Sequence, residues 1–415
     1  METENKAIEG TRKSQKYLGE KGLVILIAFL SAFIPLSTDL YLPALPRMAE
    51  NLNAAPSLVN LTLVSFFVFY AAGTLFWGPL SDKYGRKPIL LTGLIIYTAA
   101  SALSAFSGNV YQLIVFRVLQ AIASGAVTSV GSAVVKDVYT GRKRESVLAL
   151  VSSMVMIAPI VAPVIGAMIL SFTSWRGVFW ALSVIGLLAT AGGIAMEETI
   201  GRRNTGNIFQ SIGRLGVVAK NPGFAALLIT FSIMAIPMMS FISSSSYIYI
   251  TRFGLSEQVF SYYFAGNAFF MVIGPLLYMK ISRYFNSNSI ITASYIITCI
   301  SGLLLSSIGS MSPWLFALSL LPSTLAGSVT RPPSANLMLE QQQEDTGSAS
   351  SLMACAFTLM GSIGMMLISL DWADRILVMG LLYFIIGLIS LVLWLIVSKK
   401  PFIRQVPDFT DAANF

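Results

Sequence analysis

Histidine is missing from the 415-residue chain, cysteine occurs twice, and Asp, Glu, Lys and Arg together make up only 11% of it. Each scarcity excludes something. Without histidine there is no Ser–His nucleophile pair and no side chain that ordinarily titrates near neutral pH, so any proton relay must run on carboxylates. Two cysteines, Cys299 and Cys355, make neither a disulfide framework nor a zinc site, and both fall inside apolar runs where core packing is the simpler role. Soluble domains carry roughly one-quarter charged residues, so 11% charged and 55% hydrophobic residues exclude an ordinary water-soluble fold. No Gly-x-Gly-Asp motif is present, and one buried acid cannot form an aspartyl dyad.

What the chain has instead is long apolar runs. Twelve stretches, near 22–42, 58–80, 88–107, 110–135, 146–170, 177–196, 224–249, 258–279, 288–308, 313–330, 347–370 and 375–398, each suffice to cross the bilayer. A hydrocarbon core about 30 Å thick takes roughly 20 residues of helix. The sequence therefore predicts an all-α membrane protein with twelve transmembrane helices. Breaks inside the uncharged runs are set at SGN (107–109) and GSMSP (309–313), where turn-forming residues cluster. The N-terminal METENKAIEGTRKSQKYLGEK is too polar for a secretory signal and no small-residue cleavage site follows, so the first run is expected to stay as a helix.

Lysine and arginine set the orientation. With the N-terminus inside, 22 of the 27 basic residues fall on the inner face. These are Lys6, Arg12, Lys13, Lys16 and Lys21 in the tail, and Lys83, Arg86, Lys87, Lys136, Arg142, Lys143 and Arg144 in the first loops. The linker adds Arg202, Arg203, Arg214 and Lys220, and the second half adds Lys280, Arg283, Arg331, Lys399, Lys400 and Arg404. Arg47, Arg176, Arg252 and Arg375 fall outside, and Arg117 lies within a span. This positive-inside bias puts both termini in the cytoplasm and explains the net charge of +8. Basic residues spread over so many segments argue against nucleic-acid binding.

The longest polar interruption, Glu197 to Asn221, divides the spans six and six. After the second span stands GPLSDKYGRKP (78–88), and after the eighth stands GPLLYMKISRYF (274–285). This supports two parallel repeats, 1–200 and 222–415, joined by a linker at 201–221, with a substrate path between them.

GPLSDKYGRKP resembles the loop signature of the major facilitator superfamily. RVLQAIASG (117–125) resembles the fourth-helix motif of its drug:proton antiporters. STDLYLPALP (37–46), DVYTGRKR (137–144) and GSASSL (347–352) resemble the branch named for bicyclomycin and chloramphenicol resistance, and the likeness covers the whole chain. One motif departs. The fifth helix reads APIVAPVIGA (158–167), where the antiporters have Gly-Pro and a glycine pair; Ala162–Pro163 stands in and Gly166 keeps one glycine.

The resemblance implies two pseudo-symmetric six-helix bundles in the inner membrane of a bacterium. It implies a monomer that exchanges a small-molecule drug for protons across the lipid bilayer, with no bound cofactor or metal and the proton gradient as energy source. It also implies that Asp82 pairs with Arg86 and the start of the eleventh helix as a conformational latch, Gly78 and Gly85 allowing close backbone contact.

Asp39 and Arg117 share a depth, roughly 10 Å below the outer surface at 1.5 Å per residue. An intramembrane charge must face the bundle interior, a partner or water. Two roles are open: a constitutive ion pair that fixes packing, or a proton site in which Asp39 takes up and releases the proton while Arg117 tunes it. Asp39 is the only acid clearly within a span. Glu197, Glu198, Glu340, Glu344 and Asp345 fall in or beside inner loops, and Asp371 and Asp374 at the outer face. Gln120, one helical turn after Arg117, can bond Asp39, a neighbouring helix or a substrate.

Pro43 and Pro46 break the first helix beyond Asp39, and Pro159 and Pro163 can bend the fifth. IMAIPMMSFISSSSYIY (233–249), with Met234 and Met238 around Pro237, has the soft composition of a cavity for varied ligands. Tyr41, Phe66, Tyr70, Tyr262 and Asn267 are further substrate-binding candidates. Export of an endogenous metabolite, such as an amino acid derivative, a small peptide or a metal-chelating compound, is the alternative within transport. An intramembrane enzyme lacks its residues here, and a transport-dead sensor or lipid-moving protein would need no Asp39.

Overall fold

In a computed structural model that describes residues 15–201, 208–342 and 346–404, the chain is helical throughout, with no strand among the described residues. Lys6, Arg12, Lys13, Arg202, Arg203, Glu344 and Asp345 lie outside the described residues, as does the side chain of Arg214. The first half comprises α1 (Gly19–Ser31), α2 (Phe33–Asp39), α3 (Leu45–Asn51), α4 (Pro56–Tyr84), α5 (Arg86–Phe106), α6 (Val110–Val138), α7 (Gly141–Phe172) and α8 (Trp175–Ala195). After α9 (Ile208–Ala219) follow α10 (Pro222–Ser232), α11 (Ala235–Ser246), α12 (Glu257–Ile281), α13 (Ser287–Ile308), α14 (Pro313–Glu340), α15 (Thr346–Ile368) and α16 (Arg375–Val397).

Turn chemistry sets the breaks. At the two short loops inside apolar runs, Asn109 and Ser312 cap the following helices, accepting from the amides of Gln112 at 2.9 Å and Leu315 at 3.2 Å. Proline interrupts the first and seventh spans. Pro35 has no amide for the Ser31 carbonyl four residues earlier, and α1 ends there. Pro237 likewise follows Ile233 by four, between α10 and α11. Beyond Asp39 the chain tightens into a 3₁₀ turn, Leu42–Ala44, around Pro43, and Pro46 sits in the first turn of α3. The first span thus runs on past residue 42, in pieces, to Asn51. α7, by contrast, is one helix through Pro159 and Pro163.

Among the described residues, eleven helical segments are long and apolar enough to cross a membrane. The tenth expected span, α14, is 28 residues long but diluted by Ser, Thr and Pro, and is not among the eleven. It also corrects a boundary. The tenth span is expected to end at 330, yet Arg331 lies inside α14, which continues through Pro332 and Pro333 to Glu340.

Two compact units form. One joins Met1–Tyr41 with Phe69–Ser211, the other Leu42–Val68 with Ile212–Phe415. The second unit thus takes in a segment that a division at the linker gives to the first half. Arg47 Nε meets Glu257 Oε1 at 2.6 Å, Asn60 Nδ2 donates to Ser369 Oγ at 3.0 Å, and the Tyr247 hydroxyl donates to the Leu45 carbonyl at 3.4 Å.

Within the halves the same packing occurs twice. α5 lies against α6 and α8, as α13 lies against α14 and α16; α2 lies against α7, as α11 lies against α15. Even the contact atoms correspond. A Cβ on Gly166 of α7 would strike the Leu40 carbonyl beyond α2, and one on Gly364 of α15 would strike the Ile236 carbonyl of α11. Small residues let helix backbones meet where lipid offers no hydrophobic drive. The repeat expected from the Gly-Pro-Leu loops is therefore real, and the fifth helix keeps its close approach through Gly166 despite its altered motif.

Gly166→Val should separate α2 from α7 and cost about 1–3 kcal/mol, the usual range for overpacking. Gly327→Ala is the control, because its Cβ would meet open space. Thermal melting of the purified protein in detergent should show a clear loss for the first and none for the second.

Candidate functional site

Asp39 is the last residue of α2 and is 6% exposed. Among the described residues it is the only acidic side chain that is buried. Its carboxylate accepts from Thr38 Oγ1 at 3.0 Å. Arg117, on α6, is fully buried and reaches the same turn from the other side. Its Nη1 donates to the Ser37 carbonyl at 3.0 Å and to Gln120 Oε1 at 2.5 Å. The last carbonyls of a helix have no intrahelical amide and carry the negative end of the dipole. The guanidinium is therefore a C-terminal cap on α2, two residues from the carboxylate.

The cap is itself held. Gln120 Nε2 donates to Ser101 Oγ on α5 at 2.7 Å, and Ser37 Oγ lies 2.6 Å from the Tyr97 hydroxyl, also on α5. The Arg117 guanidinium stacks 4.4 Å above the Tyr41 ring and 6.0 Å from that of Phe179. These are the geometries of a cation on aromatic faces. Asp39, Tyr41, Arg117 and Gln120 are thus brought together, with Arg117 bonded to the backbone of the aspartate's helix. Gln120 is fully buried and bonds Arg117 and, on the neighbouring helix α5, Ser101; of the partners open to it from sequence, the neighbouring helix is the one found. Thr38, Ser37, Tyr97 and Ser101 are additions that sequence reading missed; of these, Ser37 and Thr38 lay in the STDLYLPALP segment.

The remaining substrate candidates are divided between the units. Tyr70 is half-buried on α4 in the first unit. In the second, Phe66 is fully buried, Met234 and Met238 are half-buried, Asn267 is buried and Tyr262 is 63% exposed.

A second polar cluster joins α4, α5 and α6. Arg86 Nη1 meets Asp82 Oδ1 at 2.6 Å and Ser81 Oγ at 2.6 Å, and its Nε meets Asp137 Oδ2 at 2.8 Å. One guanidinium holds two carboxylates. Asp137, which opens the DVYTGRKR segment, was not singled out from sequence, nor was Glu198. Glu198, just after α8, accepts from the amides of Arg86 at 2.9 Å and Lys87 at 3.3 Å and so caps the N-terminus of α5.

Gly85 stands at φ +112°, where a Cβ would strike the Glu198 carboxylate. The neighbour there is a side chain, where the latch motif leads one to expect close backbone, and a Cβ on Gly78 would meet nothing within 4 Å. The two free cysteines lie half-buried on α13 and α15.

Residues 27–365 match the profile of a family described as Major Facilitator Superfamily. The chain belongs to this superfamily. Its relatives include a bicyclomycin resistance protein homolog of Haemophilus influenzae, 26% identical over 350 residues, covering 82% of this chain and 87% of the relative. A chloramphenicol resistance protein of Pseudomonas aeruginosa is 29% identical over 360 residues, covering 84% of each. The crystal structure of a D-xylose-proton symporter superposes with a TM-score of 0.75, covering 93% of this chain and 97% of the symporter at 14% identity, a likeness of fold. Family and fold are those of multi-pass membrane transporters rather than enzymes.

Arg117→Lys should impair transport less than Arg117→Ala. Lysine keeps the charge and a donor for the Ser37 carbonyl but loses the planar group that stacks on Tyr41. Uptake or efflux in proteoliposomes checks the order. In the second cluster, Arg86→Ala leaves two carboxylates without their cation, with an expected stability loss of about 1–3 kcal/mol. Asp82→Asn leaves Asp137 on Arg86, so its melting temperature should stay near wild type while turnover in vesicles falls, the mark of a latch.

Proposed function

We propose that the protein is a proton-coupled antiporter that exports small, mostly apolar antibiotics of amphenicol or bicyclomycin type by alternating access. The observation that carries this reading is Asp39. It is a buried carboxylate at a broken helix end, in a chain without histidine, two residues past a capped carbonyl. A carboxylate in such a place can exchange a proton when its surroundings change between two conformations. Arg117 holds the turn that presents it. The named resistance proteins among the relatives support the drug class.

In this reading Tyr41, Phe66, Tyr70, Met234, Met238, Tyr262 and Asn267 meet the drug, and Gln120 acts through Arg117. Asp82 and Arg86 latch one conformation. The protein works as a monomer in the bacterial cytoplasmic membrane, both termini inside, driven by the proton gradient with no bound cofactor.

If drug and proton compete, adding chloramphenicol to the purified protein in weakly buffered detergent should release protons. The release should fade as the pH is raised and Asp39 has lost its proton before the drug arrives. Asp39→Asn, a mimic of the neutral acid, should release none. A passive structural acid gives no release in wild type, and a symporter gives uptake. Release of as many protons by Asp39→Asn as by wild type would remove Asp39 from the mechanism.

A further inference from the structure

Neither the proton cluster nor the latch cluster uses Arg331, which lies inside α14. Arg331 stands nine residues before the end of α14, about 13 Å along its axis. Its side chain is exposed but its neighbours are apolar. Nη2 lies 3.4 Å from Sδ of Met238 on α11, and the guanidinium carbon lies 5.2 Å from the centre of the Phe357 ring on α15. All of these residues lie in one compact unit. Arg47 and Arg86 hold carboxylates, whereas among the described residues no ion pair reaches Arg331. A thioether and a ring face occupy a guanidinium without satisfying its five N–H donors, and it cannot shed its charge. Cations on membrane-crossing helices face a partner or water, and they mark the paths that ligands take.

We propose that Arg331 receives the anionic group of a carboxylate-bearing amphipathic compound, whose apolar portion lies against Met238 and Phe357. The planar fork matches a carboxylate with two parallel hydrogen bonds. The unbranched thioether adapts to ligands of varied outline, and the ring offers a flat apolar face. The proposal rests on the exporter reading and adds to its neutral drugs a class of organic acids, among them the amino acid derivatives of the alternative considered from sequence.

The test compares 1-naphthoate with its neutral analogue 1-naphthamide, by equilibrium dialysis against the full-length protein in phosphatidylcholine nanodiscs at pH 7.5, with empty nanodiscs subtracted. Wild type should bind the acid about tenfold more tightly than the amide, the scale of one charge-assisted contact. Arg331→Gln should bring the ratio to about one, and Arg331→Lys to an intermediate value. Met238→Glu, which leaves the arginine in place and gives it an internal carboxylate, should abolish the preference too and covers the case in which Arg331→Gln does not fold.

No preference in wild type, or a preference that survives both Arg331→Gln and Met238→Glu, overturns the site. Exchanging phosphatidylcholine for phosphatidylglycerol should leave the wild-type ratio within about twofold; its collapse would make Arg331 a headgroup anchor and overturn the site as well. The exporter reading fails separately: acid–amide discrimination without drug-driven proton release sinks the antiporter and spares the site, while proton release without discrimination does the reverse.

Discussion

A helix that ends inside a membrane leaves carbonyls that water cannot reach, and the organisation of the first half depends on how one such end is satisfied. The end is that of α2, and the donor is Arg117. Burying a guanidinium is costly unless its donors are spoken for, so Gln120, Ser101, Tyr97 and Ser37 follow from it, and aromatic rings cover the flat faces that hydrogen bonds cannot. The network fixes where the chain turns and hence where Asp39 is held. Structural and chemical roles of Arg117 are therefore one role: what caps the helix also positions the acid.

The two halves solve the same packing problem with the same contacts and different residues. Gly166 and Gly364 each admit a carbonyl from the helix opposite, and Pro35 and Pro237 each interrupt the span that supplies it. What differs is the polar content. In the first half the interrupted span carries Asp39 and faces a guanidinium network. In the second it carries a row of serines, of which Ser240 bonds both the Ile236 and the Gly364 carbonyls. One scaffold thus carries a carboxylate on one interrupted span and neutral hydroxyls on the other.

Much of this was legible in sequence because membranes impose a coarse grammar. Span count, six-plus-six repeat, the short loops at 107–109 and 309–313 and the break after Asp39 all follow from apolar run length, Gly/Ser/Asn clusters and proline. The tenth span is expected to end at 330 because the apolar run stops at Arg331, but the helix does not: inside a bundle, neighbouring groups can take over the carbonyls that Pro332 and Pro333 free. Gly78 was overread, since its motif mate Gly85 alone needs both the positive φ and the empty Cβ position. Glu198 and Asp137 were invisible as partners because their contacts span 112 and 51 residues, and no local spacing encodes such distances.

The carboxylate of Glu198 ties the beginning of the linker to the start of α5, and Lys87 Nζ reinforces it by donating to the Ile194 carbonyl at 2.7 Å. The last residues before the linker are therefore part of the folded first half. Anyone who expresses the two halves as separate chains, inserts a protease site or fuses a reporter between them should leave everything through Ile200 with the N-terminal piece. A cut made at the end of α8 itself, at Ala195, would remove the cap from a helix more than a hundred positions earlier.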